Sequence, residues 1–329
     1  MRRREFITLL GGAASAWPLG ARSQQAFPVP RLGLVSIGAD PSDPVVFHPF
    51  LEQLRKLGYI EGHNVILERR FAAGRDELID DFVADLVQRN VDIIVVTGDR
   101  EGVAAKHATS TIPIVTIVIT DPIRTGLAAS LAQPGGNVTG LTTMDWGMYG
   151  KRIEILKQAV PKLSKAALLL SHGNTSYARG SPWAHEVETD ARSLGVELSI
   201  VVTEAASVEA AIAAAAADGA QALVGASDGV VVARRREIAE SAIMHRLPTM
   251  FAFRQNVEAG GLIMYAARVA DLSRRAAFFV DRILKGARPS ELPIEQPTTF
   301  DLIINLKTAK ILGLTLPPTL LAQVDEVIE

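Results

Sequence analysis

Short apolar runs alternate with amphipathic stretches along almost the whole chain. "LGLVSIG" (32–38), "VDIIVVTG" (91–98) and "IPIVTIVITD" (112–121) are continuous apolar runs of strand length. Between the first two lies "FHPFLEQLRKLGY", where Phe47, Phe50, Leu51, Leu54 and Leu57 fall at helical spacing and Gly58 is a stop. "DELIDDFVADLVQRN" places Leu78, Phe82, Leu86 and Val87 on one helical face. "NVILERRFA" and "NVTGLTT" read as further strands, and "EGVAAKHATS" as a helix. "RTGLAASLAQPGG" reads as a helix stopped by Pro134-Gly135-Gly136. Strands that are apolar throughout belong to sheets covered on both faces. Their alternation with helices predicts a doubly wound parallel sheet in an α/β fold.

The same pattern then begins again. Helices are predicted over 148–161, 182–195, 207–220 and 230–246, and strands over 165–173, 196–204, 221–229 and 247–254. A long helix (270–286), a proline-broken stretch (287–297), a strand (300–306) and a short helix (307–313) close the chain. These last elements are too few for a third domain. They complete the two sheets already laid down, so the chain passes between two lobes more than once, and two lobes joined in that way form a hinge around a cleft. No residue-level internal repeat accompanies the architectural one.

Length and composition narrow the function classes. The 329 residues suffice for two lobes of ordinary size. A net charge of −2 with no basic stripe argues against a nucleic-acid partner. The chain has no cysteine, which excludes disulfides, thiolate metal sites, thiol nucleophiles and a lipid-modified cysteine. At the start, Arg2, Arg3 and Arg4 precede Phe6 and a short apolar run from Ile7 to Leu19, too short to span a bilayer. Residues 1–23 therefore read as an export signal of twin-arginine character, cut near Ser23, and the mature protein is expected as a soluble periplasmic one.

In doubly wound sheets, ligands sit beyond the carboxyl ends of strands. That rule selects Ser36 and Gly38 after the first strand, Thr97, Gly98, Asp99 and Arg100 after the third, and Thr120, Asp121 and Pro122 after the fourth. In the second array it selects His172 and Asn174, then Ser227 and Asp228, then Phe251, Phe253 and Arg254. Backbone N–H groups at the helix starts suit an anion such as a carboxylate, and Asp121 or Asp228 suits a ligand ammonium. The plainer reading of Thr97, Asp121 and Asp228 is helix capping. Phe251, Phe253, Tyr265 and Trp146 are candidates for a hydrophobic wall, or equally for the core. No dinucleotide fingerprint, P-loop, zincin helix or nucleophile elbow occurs, so no catalytic residue, cofactor or metal is expected.

Several stretches carry a family resemblance: "LRKLGYIEGHNV", "TSTIPIV", "DPIRTGLAASLAQPGGNVTGLTT", "GKRIEILKQAVP", "VEAGGLIMY" and "FDLIINLKTAKILGLTLPPTLLAQVDEVIE". Through them the chain, from Leu32 to Glu329, resembles the periplasmic substrate-binding proteins of ABC transporters of the tryptophan/tyrosine type. The resemblance implies a two-lobed type I periplasmic-binding-protein fold with three interlobe crossings, near Leu141–Met144, Gly260–Leu262 and Pro293–Pro297. It implies lobes of 28–141 plus 263–293 and of 142–262 plus 294–329. It also implies first-lobe ligand contacts around Thr97–Asp99 and Thr120–Asp121, and second-lobe contacts around Asn174 and Asp228. The expected partners are a small organic ligand and an inner-membrane ABC permease, with the binding protein itself a monomer. Two positions depart from the family pattern. Gly98 is followed by Asp99-Arg100-Glu101, which puts charge at the cleft edge, and the first strand of the second array ends in Ser171-His172-Gly173-Asn174. Both fit a more polar or charged ligand. The alternatives are a sensor subunit for a membrane receptor and an exported enzyme on the same fold.

Overall fold

The structure is a computed structural model that describes residues 29–38, 46–73, 75–171, 180–203, 208–227 and 229–329. The expected export signal (1–23) and two expected ligand contacts, Asn174 and Asp228, lie outside the described residues.

The first array runs β1 (Arg31–Ser36), α1 (Phe47–Lys56), β2 (Ile66–Phe71), α2 (Ile79–Gln88), β3 (Ile93–Val96), α3 (Asp99–Ala108), β4 (Ile114–Ile119) and β5 (Val138–Thr142). The second runs α4 (Tyr149–Ala159), β6 (Lys165–Ser171), α5 (Pro182–Ser193), β7 (Glu197–Thr203), α6 (Val208–Ala217), β8 (Leu223–Gly225), α7 (Gly229–Ala233), α8 (Arg235–Met244), β9 (Thr249–Phe251), α9 (Arg254–Glu258) and β10 (Ile263–Ala267). The tail adds α10 (Val269–Leu284), β11 (Ile294–Glu295), β12 (Phe300–Asn305), α11 (Leu306–Ile311), α12 (Pro318–Leu321) and β13 (Glu326–Ile328).

These strands form two sheets, with orders β11-β5-β4-β3-β1-β2 and β13-β12-β10-β9-β8-β6-β7. Each sheet has helices on both faces, because its strands are apolar on both. In the first lobe, Leu32, Leu34, Val95 and Val115 pack with Phe47 and Phe50 of α1 and with Phe279 of α10. On the other face, Val35, Ile94 and Val96 pack with Ile79, Val83 and Leu86 of α2. The second sheet has Leu168 and Leu170 against Tyr149 and Trp183 on one side, and Leu169 against Ile212 and Ile238 on the other. Each such fully buried side chain contributes roughly 1.5–3 kcal/mol of transfer free energy.

Pairing is parallel throughout except between β10 and β12, which are antiparallel. β13, which no periodicity announced, pairs with β12 at the sheet edge. The first crossing follows β5, within the stretch expected for it. The second is displaced: β10 pairs with β9 and β12, so residues 263–267 belong to the second sheet and the chain leaves that lobe only after Ala267. Gly260-Gly261 is instead a turn inside the second lobe, where Gly260 takes a φ of +114° and a Cβ on Gly261 would meet the Phe251 ring at 2.6 Å. The third crossing follows β11, which pairs with β5 and so places 294–295 in the first sheet. A second correction concerns 124–136, which is a turn-rich loop and not a helix. Gly126 is left-handed there (φ +72°), and Lys106 Nζ takes the carbonyls of Gly126 and Leu127 at 2.8 and 2.9 Å, acceptors that a helix would have used itself.

Candidate functional site

The carboxyl ends of β1, β3 and β4 and those of β9 and β10 open onto one cavity of about 310 Å³ between the lobes. The first lobe lines it with Ile37, Thr97, Gly98, Asp99, Glu101, Val118 and Thr120. The second lobe and the crossings add Thr143, Asp145, Ser227, Val232, Ala252, Phe253, Ala266, Ala267 and Val269.

The first-lobe wall is a closed polar circuit. Glu101, in the first turn of α3, folds back so that its Oε1 accepts from the Ile37 N–H at 2.7 Å. The Thr97 hydroxyl lies 3.3 Å from the same oxygen and 2.8 Å from Ser36 Oγ. Ser36 Oγ in turn accepts from the Gly38 N–H at 3.0 Å. Gly98 permits this fold-back, since a Cβ there would stand 2.5 Å from Glu101 Oε2. Asp99 accepts from the Thr120 N–H at 3.0 Å and from the Thr120 hydroxyl, tying the start of α3 to the end of β4.

Burial dominates the electrostatics of this wall. Glu101 is 1% exposed, and burial pushes its carboxyl above the usual range against the hydrogen bonds from Ile37 and Thr97. Asp99 is pushed up to about 6, first by burial and further by the charges of Asp145 and Asp121, with the Thr120 hydrogen bonds opposing.

At the first crossing, Met144 takes a left-handed φ of +51° and leads into a 3-10 turn, Asp145–Met148. Asp145, 6% exposed, forms a buried ion pair through its Oδ1 with Arg152 of α4. Arg152 is fully buried; its Nε donates to the Tyr265 carbonyl at 2.9 Å and its guanidinium lies 5.0 Å from the Tyr149 ring centre. The Tyr149 hydroxyl accepts from the Ser227 N–H at 3.2 Å, and burial raises its pKa.

Of the residues singled out from sequence, Thr97, Gly98, Asp99, Thr120 and Phe253 line the cavity, and Ser36 supports it from one hydrogen bond behind. Phe251 does not: it is 1% exposed and packs in the core, wedged over Gly225 and Gly261, where a Cβ would meet its ring at 2.5 and 2.6 Å. Arg254 points to the surface, paired with Glu258 at 2.7 Å and with Glu326 at 2.6 Å. Asp121 caps its own loop through the N–H groups of Ile123 and Arg124 at 2.9 and 3.1 Å. Tyr265 stacks on Phe300 at 5.6 Å. Trp146 lies in a neighbouring groove with Trp183, under Arg124, whose guanidinium is 5.0 Å from its ring centre and 2.6 Å from Glu186 of the other lobe.

Sequence reasoning put the charge of Glu101 at the cleft edge without making it a site residue, and it missed Asp145. Glu101 is the third residue of α3 and four after Thr97, a spacing that signals a side chain able to reach back over the helix start. Asp145 carried no such signal, because the crossing that turns it inward is a tertiary feature. Among the described residues, no group of three His, Asp or Glu side chains converges closely enough to hold a metal ion, and no helix is long and apolar enough to cross a membrane.

Comparison with known proteins agrees with this geometry. The family described as ABC transporter substrate binding protein matches residues 35–328. A tyrosine-binding protein of Clostridioides difficile (strain R20291) is 24% identical over 285 residues, covering 86% of this chain and 81% of the relative. A conserved domain protein of Vibrio cholerae superposes with a TM-score of 0.83 at 25% identity, covering 91% of this chain and 99% of its own. An ABC domain from Streptococcus pneumoniae, solved in complex with L-Trp, gives 0.83 at 22% identity with the same coverage.

Proposed function

The chain belongs to the ABC transporter substrate binding protein family and has the fold of type I periplasmic binding proteins, and from that premise we propose that it captures a small organic solute of amino-acid kind in the interlobe cavity and hands it to a membrane permease. One observation carries this reading: a cavity of amino-acid size lies between two lobes joined by three strand crossings, and it is lined from both lobes. A solute seated there contacts both walls at once. It therefore binds the closed arrangement better than an open one, and that differential affinity is what shifts the lobes toward closure. The permease reads the closed form. The tyrosine-binding relative and the L-Trp complex support an amino-acid-like solute, and Phe253 supplies an aromatic wall for its body.

The remaining parts of the reading follow the same logic. Residues 1–23 direct export and are removed near Ser23, the protein works in the periplasm as a monomer, and it catalyses no reaction. We draw the lobe boundaries after Thr142, after Ala267 and after Glu295, a division supported by the sheet to which each strand belongs. A receptor in place of a permease would use the same closed surface.

Thermal shift of the protein against a broad panel of amino acids, amines and small carboxylates tests the reading. A saturable rise in melting temperature by several degrees is expected for at least one chemical class. A panel without any saturable ligand, run on protein refolded from denaturant to remove carried-over solute, rejects it.

A further inference from the structure

Among the described residues, four strand-end donors of the first-lobe wall are already turned to the chain's own carboxylates. The Ile37 N–H and the Thr97 hydroxyl already face Glu101 Oε1, and the Thr120 N–H and hydroxyl already face Asp99. The chain's own carboxylates thus stand where a ligand carboxylate would be expected in a doubly wound fold. Among the described residues neither Asp99 nor Glu101 makes an ion pair, and the one buried guanidinium beside the cavity, Arg152, is committed to Asp145 Oδ1.

A second observation is independent of that wall. Asp145 Oδ2 is buried, belongs to a residue that lines the cavity, and has no hydrogen-bond partner among the described residues. A buried carboxylate oxygen without a donor is costly, and the compensation a cavity can supply is a donor on the ligand. Asp145 sits on the crossing, held by the second lobe through Arg152, whereas Asp99 belongs to the first lobe. The two carboxylates repel one another, and a cation placed between them turns that repulsion into a bridge across the lobes. Val118, Val232, Ala252, Phe253 and Ala266 make most of the remaining lining apolar, with the hydroxyls of Thr143 and Ser227 set among them.

We propose that the solute is a small primary amine with an apolar body, held by its ammonium between Asp145 Oδ2 and Asp99, with no carboxylate directed at the first lobe. This rests on the solute-capture reading and departs from its amino-acid-like solute by dispensing with the carboxylate. The ammonium has three donors, enough to reach a carboxylate on each side. Binding favours ionised Asp99, so affinity for the amine rises between pH 5 and 7, and the groups facing Asp99 are Thr120, Asp145, Asp121 and Glu101.

Calorimetric titration of the full chain with two matched sets tests this. One set is tyramine, tyrosine and 3-(4-hydroxyphenyl)propionate; the other is 3-methylbutylamine, leucine and 4-methylpentanoate. In at least one set the amine is expected to bind about tenfold or more tighter than the amino acid, with the acid undetectable. Asp145→Asn is expected to weaken the amine at least tenfold. Asp99→Asn, which keeps an acceptor for Thr120, is expected to weaken it and to flatten the pH dependence, and it carries the test if the Asp145 variant fails to fold. An amino acid or acid that outbinds its matched amine overturns the proposal, as does binding unchanged in Asp99→Asn. If no amine binds while another member of the broad panel does, the amine assignment falls and solute capture stands. If neither binds, both fall.

Discussion

The two walls of the cavity are built on opposite principles. On the first-lobe side, polar side chains are locked to one another: Ser36 to Thr97, Glu101 to Ile37, Asp99 to Thr120. On the second-lobe side, the lining is mostly small and apolar, with Phe253 the largest side chain, and the charge beside it is Asp145 at the crossing, paired through Oδ1 with buried Arg152. A wall of mutually bonded polar groups cannot rearrange without leaving buried partners unmatched, so under the proposed function it fixes the charge that a solute must present. A wall of Val, Ala and one Phe holds no such obligations and sets only the shape. Under the proposed function, this division gives charge selection to the first lobe and the crossing, and size selection to the second lobe.

The largest expected effect comes from the buried pair that separates the two walls. Arg152→Ala leaves Asp145 charged and buried without its guanidinium, and it also removes a donor from the Tyr265 carbonyl. A loss of about 3–5 kcal/mol in unfolding free energy is expected by denaturant titration. A loss under about 1 kcal/mol, the scale of surface pairs, would mean that the pair is solvated and that the second-lobe wall is not the apolar surface described.

A smaller effect tests the first-lobe wall. Asp99 has a folded pKa near 6, above its ordinary 3.8, and Glu101 is also raised. In the range between ordinary and folded values the folded state binds more protons than the unfolded one. Stability of the ligand-free protein therefore falls as pH rises through that range, and it is greater near pH 5 than at pH 7. Melting temperature should be higher by a few degrees at pH 5, with the difference reduced in Asp99→Asn. A flat profile would place both carboxylates in solvent, and the opposite slope would mean that the fold stabilises their charged forms.

The smallest effect is expected at the rim. Arg124 reaches from the first lobe to Glu186 of the second, but the pair is partly exposed, at 33% and 55%. Arg124→Ala should change unfolding free energy by less than about 1 kcal/mol and leave ligand discrimination as it was. A shift in discrimination would extend charge selection beyond the inner wall.

Much of this arrangement was legible in the pattern of residues. Continuous apolar strands announced two sheets covered on both faces, and the strand-end rule reached Thr97, Gly98, Asp99, Thr120 and Phe253, all of which line the cavity. The rule failed at Phe251 because it counts from strand ends and cannot see that two neighbouring glycines, Gly225 and Gly261, make room for a ring in the core. It failed at Arg254 because the carboxylate that captures it, Glu326, lies 72 residues away in β13. The apolar spacing of "GLAASLAQ" imitates a helix, and only the distant Lys106 ammonium and the left-handed Gly126 decide against one.

The sequence by itself determined the alternation of elements, the two-lobed plan and the polar residues at the strand ends, since each depends on periodicity or on a backbone terminus a few residues away. Only the tertiary structure decided where the chain crosses between lobes, which aromatic rings face the cavity, and that Glu101, Asp99 and Asp145 line one cavity. Those outcomes depend on which of several compatible partners a side chain meets, and burial in a shared space between distant segments, not local spacing, makes that choice.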